Sequence, residues 1–393
     1  MSTTRPKAVY FFYYAALACL VPFMTLFYQE RGMNPNQIGV LAGAIPLVGW
    51  VSAPFWGGIA DARQRHRTVL LLGIGGVWVA VVGLYFAQTF AQLLLAVVVY
   101  AFFIAPIVPI VDNAVMCLLE EKRNMYGRVR LWGSYGWASA SLLIGPFLER
   151  AGLIWSFFGF LSLMAVNFAV TIKLPLGIIP GERPAYRAGL GILTRNGRFV
   201  LLLVTALVFG ITMGVLLSYQ ALFLDELGAS RSLIALASTV GTLSEIPFWL
   251  ISARLLHRFG TARMIAMALL LTTIRNIALA AMHNPVWVLP ISLLHGPSFA
   301  VLWAAGVADA DAAAPAGLGA TAQGLFSGMM FGLGSALGGF IGGPASAAIG
   351  YSQLFFLLSL LTAGMLGVFV AVRLRSRHVV RRRESTDSAD FTD

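Results

Sequence analysis

Charge is what this sequence is shortest of. Asp, Glu, Lys and Arg supply 11% of its 393 residues, while hydrophobic residues supply 59% and mean hydropathy is +0.82. A soluble domain typically carries about 25% charged residues, because its surface must be solvated by water. So few charges exclude a water-soluble globule and leave lipid as the solvent for most of the chain. Cysteine is scarce too. Cys19 and Cys117 lie in apolar stretches without metal-ligand spacing, and read as small apolar residues within helices. Also missing are a His-Glu-x-x-His run, a nucleophile motif and paired catalytic carboxylates, and no Lys-Ser/Thr follows the glycine repeats as in a nucleotide loop. Neither enzyme chemistry nor a metal or other cofactor is expected.

Long apolar runs are what the sequence has in abundance. A helix needs about 20 apolar residues to cross the ~30 Å hydrocarbon core. Twelve candidate spans lie near 8–29, 37–60, 67–87, 91–119, 128–148, 152–173, 199–222, 232–253, 262–282, 286–307, 319–343 and 352–372. The first follows a basic start but has full span length and no small-residue cleavage site, so it reads as a retained helix. A polar stretch with Pro175, Pro180, Gly181 and Pro184 divides the spans six and six. The expected organisation is an N-terminal six-helix bundle over 1–173, a linker over 174–198, a C-terminal six-helix bundle over 199–372 and a basic, then Ser/Asp-rich tail over 373–393.

The formal charge of +11 is unevenly placed. With a cytoplasmic N-terminus, 23 of the 27 Lys and Arg fall on cytoplasmic segments, against Arg31, Arg150 and Arg231 outside and Arg275 within a span. This is the positive-inside pattern, predicting a multi-pass protein with both termini in the cytoplasm. It accounts for the basic charge without nucleic acid. Glycines spaced by four, Gly39 and Gly43, Gly328 and Gly332, and Gly334, Gly338 and Gly342, predict close helix-packing faces.

Ionisable residues at membrane depth are costly and are functional candidates by default. The strongest are Asp112, Arg130, Glu245, Arg275 and His295. Asp112 and Arg130 are equidistant from Glu121 in the turn between the fourth and fifth spans, which places them at one depth and able to pair. Glu245 and Arg275 are symmetric about Gly260, and Arg275 and His295 about Pro285, so these three share a depth as well. Trp137 lies two turns after Arg130 on the same helix face.

An internal repeat and two motifs carry a family resemblance. The stretch Gly57-Gly58-Ile59-Ala60-Asp61-Ala62-Arg63-Gln64-Arg65 follows the second span, and Ala253-Arg254-Leu255-Leu256-His257-Arg258-Phe259-Gly260-Thr261 follows the eighth, 196 residues later. The first resembles the signature that major facilitator transporters carry between their second and third helices, with Asp61 on its acid and with Ala62 and Gln64 departing from its usual Arg and Gly. Parallel repeats of this kind build that fold. Pro109-Ile110-Val111-Asp112-Asn113 and Tyr126-Gly127-Arg128-Val129-Arg130, with Trp137 seven residues on, resemble lactose permease and its relatives. The loop Gly32-Met33-Asn34-Pro35-Asn36-Gln37 is closer to the phenylpropionate-permease-like branch.

The resemblance implies an all-α integral membrane protein with twelve transmembrane helices in two six-helix bundles, the major facilitator fold. It implies a proton-coupled symporter of a small polar or ring-containing organic solute, such as a sugar, nucleoside or aromatic acid. Asp112, Arg130 and Trp137 would bind the solute, with Asn113 beside them and Tyr219 and Gln220 on the seventh span. Glu245 would carry the proton with Arg275 and His295, and Gly57, Asp61 and Arg65 would gate the cytoplasmic ends. Ser298 and Ser292 stand where lactose permease has a carboxylate and a Lys, which argues against galactoside specificity. An efflux antiporter is the nearest rival, and a membrane receptor or channel the rival of another class. The expected partners are a small-molecule substrate, protons and lipid, with a monomer in the plasma or bacterial inner membrane.

Overall fold

A computed structural model describes residues 3–119, 126–174, 193, 195–315 and 318–389, and within these the side chains of Asp61, Ala320 and 375–389 are not described. The expected linker thus falls mostly outside the described residues. The chain is almost wholly helical, with no strand among the described residues.

Among the described residues, ten segments are long and apolar enough to cross a membrane, two fewer than the sequence spacing suggests. Two local causes account for the difference. Arg231–Ala280 is one 50-residue segment in which two helices join end to end at Gly260, whose backbone turns to φ 73°, ψ 164°. Only glycine enters that region freely. Tyr126–Ala151 is a 26-residue helix, ample for a crossing. Its Gly, Ser, Tyr and Trp residues keep it short of the apolarity of the ten.

The repeat is visible in the backbone. Gln64 has φ 52°, the one positive value at a non-glycine among the described residues. It lies 196 positions before Gly260, so both copies turn at the same place, one with glycine and one without. Proline shapes other elements by removing a helical hydrogen bond. Pro22 sits in the 3-10 turn Val21–Phe23 between Thr4–Leu20 and Met24–Glu30.

Small residues decide where the two parts of the chain meet. A Cβ on Gly343 would lie 2.2 Å from the Pro35 carbonyl oxygen, and one on Gly339 would lie 2.6 Å from the Gly43 nitrogen. Here Pro35–Arg63 runs against Ser335–Ile349 almost backbone to backbone. Gly145 likewise abuts Ala235 and Ser232. Arg231 adds an ion pair to Glu30 at 2.8 Å and a hydrogen bond to the Leu148 carbonyl at 3.0 Å. All these contacts lie at the end remote from the chain termini. Toward the other end the packing thins: Ile234, Ala235, Ala237, Thr239 and Gly241 are buried, yet no residue from Thr242 to Arg263 is. The parts therefore touch at the far end and diverge toward the end that carries the termini.

Candidate functional site

Tyr10 and Tyr14, one turn apart on the Thr4–Leu20 helix, hold the first pair of charges, both half-buried. The Tyr10 hydroxyl donates to Asp112 Oδ1, and Arg130 Nη2 donates to the Tyr14 hydroxyl. The Arg130 guanidinium also lies over the Tyr14 ring, 4.1 Å from its centre, and 5.4 Å from that of Tyr10. The direct Asp112–Arg130 ion pair expected from spacing is not among the described contacts. Equal depth does not fix direction around a helix, and the first helix presses so close that a Cβ on Gly136 would lie 2.1 Å from the Phe11 carbonyl oxygen. Its tyrosines therefore reach both charges.

The second cluster is a linear relay. His295 Nε2 is 3.1 Å from Glu245 Oε1, and His295 Nδ1 is 2.9 Å from Arg275 Nη1. Arginine can only donate, so Nδ1 must accept and the ring proton sits on Nε2, aimed at Glu245. The second oxygen, Glu245 Oε2, accepts from Trp249 Nε1 at 3.2 Å. Phe299 stacks on the imidazole at 5.5 Å with planes 7° apart. Gly296 lets the two helices close, its N–H donating to Ser244 Oγ at 2.8 Å.

Both clusters face one cavity of about 320 Å³. Tyr14, Arg130 and Trp137 line it from one part of the chain, and Gln220, Glu245, Arg275 and His295 from the other. The Trp137 indole N–H donates to Ser238 Oγ at 2.9 Å, joining the parts at the cavity wall. Three expected binding residues are not on that wall. Asp112 is turned to Tyr10, and Asn113 accepts from the Cys117 thiol at 3.7 Å. Tyr219 is fully buried, its hydroxyl donating to the Gly339 carbonyl at 2.6 Å.

Of the expected gating residues, Gly57 has open space around it and Arg65 is exposed at the start of His66–Phe86. The Asp61 side chain lies outside the description. Another acid was not singled out by spacing. Asp309 is fully buried and takes Arg198, Thr261 and Arg373, tying four helix ends together near the termini. Its position 197 after Asp112, within one residue of the repeat offset, is the signal that points to it.

Comparison with known proteins places this geometry. The profile described as MFS_1 like family matches residues 3–357. The maltose permease of Geobacillus stearothermophilus is 28% identical over 376 residues, covering 94% of this chain and 93% of that protein. A probable 3-phenylpropionic acid transporter of Escherichia coli (strain K12) is 25% identical over 314 residues, 77% of this chain and 80% of its own. The crystal structure of the nucleoside transporter NupG superposes with TM-score 0.80 over 94% of this chain and 98% of that one, at 16% identity.

Proposed function

The chain belongs to the MFS_1 like family, and on that premise we propose that it is a proton-coupled symporter of a small organic solute. It is a multi-pass secondary transporter of the major facilitator type and not an enzyme. Proton coupling is the part proposed. The observation that carries it is the Arg275–His295–Glu245 relay on the wall of a cavity lined from both parts of the chain.

Glu245 is the proton carrier. While ionised, it accepts from His295 Nε2 and Trp249 Nε1 and ties the helix of residue 245 to that of residue 295. A proton on Glu245 removes the negative charge to which His295 donates, so that tie weakens and the helices can shift. Solute binding at Arg130 and Trp137 is the event to which this release is linked. The working units are two six-helix bundles, 1–173 and 199–372, which alternate around the cavity in twelve crossings, with both termini in the cytoplasm. Gly57, Asp61 and Arg65 latch the cytoplasmic ends.

The names of the relatives, a maltose permease and a probable 3-phenylpropionic acid transporter, leave sugars and aromatic acids as the first solutes to assay, and a nucleoside belongs beside them. Flux of labelled solutes into proteoliposomes under an imposed proton gradient tests the proposal. Accumulation that collapses when a protonophore is added is expected. Passive equilibration unaffected by the gradient would overturn the coupling.

A further inference from the structure

We propose that the transported solute is an organic anion, a monocarboxylate with an apolar or aromatic body, whose carboxylate is taken by Arg275 and Arg130. The proposal rests on the transport site described above and narrows it to one class of solute.

Arg275 carries the first argument. It is 1% exposed, and Nη1 alone of its guanidinium nitrogens has a described partner. Nε and Nη2, the two nitrogens of its lateral fork, have none. That fork is the edge that accepts a carboxylate in two parallel charge-assisted hydrogen bonds. A buried donor left without an acceptor costs about 1–3 kcal/mol, and more when it is charged. Glu245, the carboxylate of the cavity wall, already faces His295 and Trp249 with its two oxygens. The fork is therefore open to an acceptor that a ligand in the cavity can bring. Arg275 forms part of the cavity wall, so a rotation of its guanidinium brings the fork to a solute inside.

Donor and acceptor balance carries the second. Arg130, Arg275 and the Gln220 amide supply donors to the cavity. Tyr14 adds another, since its oxygen accepts from Arg130 and its O–H is left to donate. Glu245 is the carboxylate of the wall, and the Gln220 amide oxygen and the hydroxyls of Ser134, Thr242 and Ser292 can also accept, while Ser238 Oγ already accepts from Trp137. Each sugar hydroxyl both donates and accepts, whereas an ionised carboxylate only accepts. Two guanidinium groups that can only donate thus suit the carboxylate. Formal charge agrees, with two arginines against one glutamate and with Asp112 turned away to Tyr10. Leu216, Leu224, Ile234, Ile291 and Phe299 give the wall an apolar share that fits a hydrocarbon or aryl body.

Thermal unfolding of the purified full chain in detergent, with millimolar 4-phenylbutanoate, 4-phenylbutanamide, glucose or uridine, tests this. The acid is expected to raise the unfolding midpoint, and the amide, glucose and uridine are not. In Arg275→Lys and Arg275→Gln, affinity for the acid should fall by roughly tenfold or more, because Lys offers a point charge without the fork. The acid–amide comparison uses the unaltered chain and decides the matter even where a variant does not fold. A shift with glucose or uridine and none with the acid would overturn the anion while leaving solute transport intact. Equal shifts with acid and amide, or undiminished affinity for the acid in folded Arg275 variants, would overturn it too. A flat response to all four would count against the transport site itself.

Discussion

His295 is where the chemistry of single residues is most constrained. Pinned between a group that can only donate and one that accepts, its ring has a single workable tautomer. Glu245→Gln keeps the shape of the carboxyl but presents a permanently neutral group. The variant should lose gradient-driven accumulation while still exchanging solute across the membrane, as measured by counterflow in proteoliposomes. Undiminished accumulation would move the proton site to Asp112. The three members of this relay are legible from symmetric spacing about two turns, because spacing reports depth. What spacing cannot report is direction around the helix axis. Tyr10 and Tyr14 read as ordinary aromatic residues of an apolar run, so their capture of Asp112 and Arg130 is visible only in the folded chain. The same holds for Tyr219, whose hydroxyl the folded chain directs at the Gly339 carbonyl.

Among the elements, the turn at Gln64 and its counterpart at Gly260 show how one repeat accepts strain that the other avoids. A left-handed backbone costs a residue with a Cβ roughly 1–2 kcal/mol, a cost glycine escapes. Gln64→Gly should therefore raise unfolding stability by about 1 kcal/mol, less the entropy glycine loses on folding. A chemical-denaturation midpoint that falls would show that side-chain contacts of Gln64 outweigh the strain. Helix contact makes a second test. A Cβ on Gly296 would lie 2.0 Å from the Ser244 carbonyl oxygen, directly beside Glu245, whereas Gly49 has nothing within 4 Å. Gly296→Ala should separate the two relay helices and reduce both stability and accumulation, while Gly49→Ala should leave both near normal. Equal effects of the two in a combined stability and uptake assay would contradict the close approach. The number of apolar segments is less readable than their positions. Tyr126–Ala151 trades apolarity for the small and polar residues that a cavity wall and a tight helix contact require.

For the whole molecule, the uneven grip between the two parts of the chain is the governing feature. Glycines and the Glu30–Arg231 pair close the end remote from the termini, and the helices diverge at the other. Exposed ion pairs contribute only about 0–1 kcal/mol, so the Glu30–Arg231 pair opposes reopening only weakly. The charge asymmetry of the sequence predicts that the end carrying the termini faces the cytoplasm. With Cys19 and Cys117 replaced by serine, single cysteines at Arg187 and Ala229 should react with an impermeant maleimide from opposite sides of the membrane. Equal reaction of both from outside would refute cytoplasmic termini.

The indole of Trp137 sits on the seam between the parts, held by its N–H to Ser238. Any motion that parts the seam must break that bond and wet the ring, which shifts indole emission to the red. Trp137 is one of nine tryptophans, so its signal is the difference between the unaltered chain and Trp137→Phe. The transporter therefore carries its own optical gauge of which way it faces, readable in real time and without knowledge of what it carries.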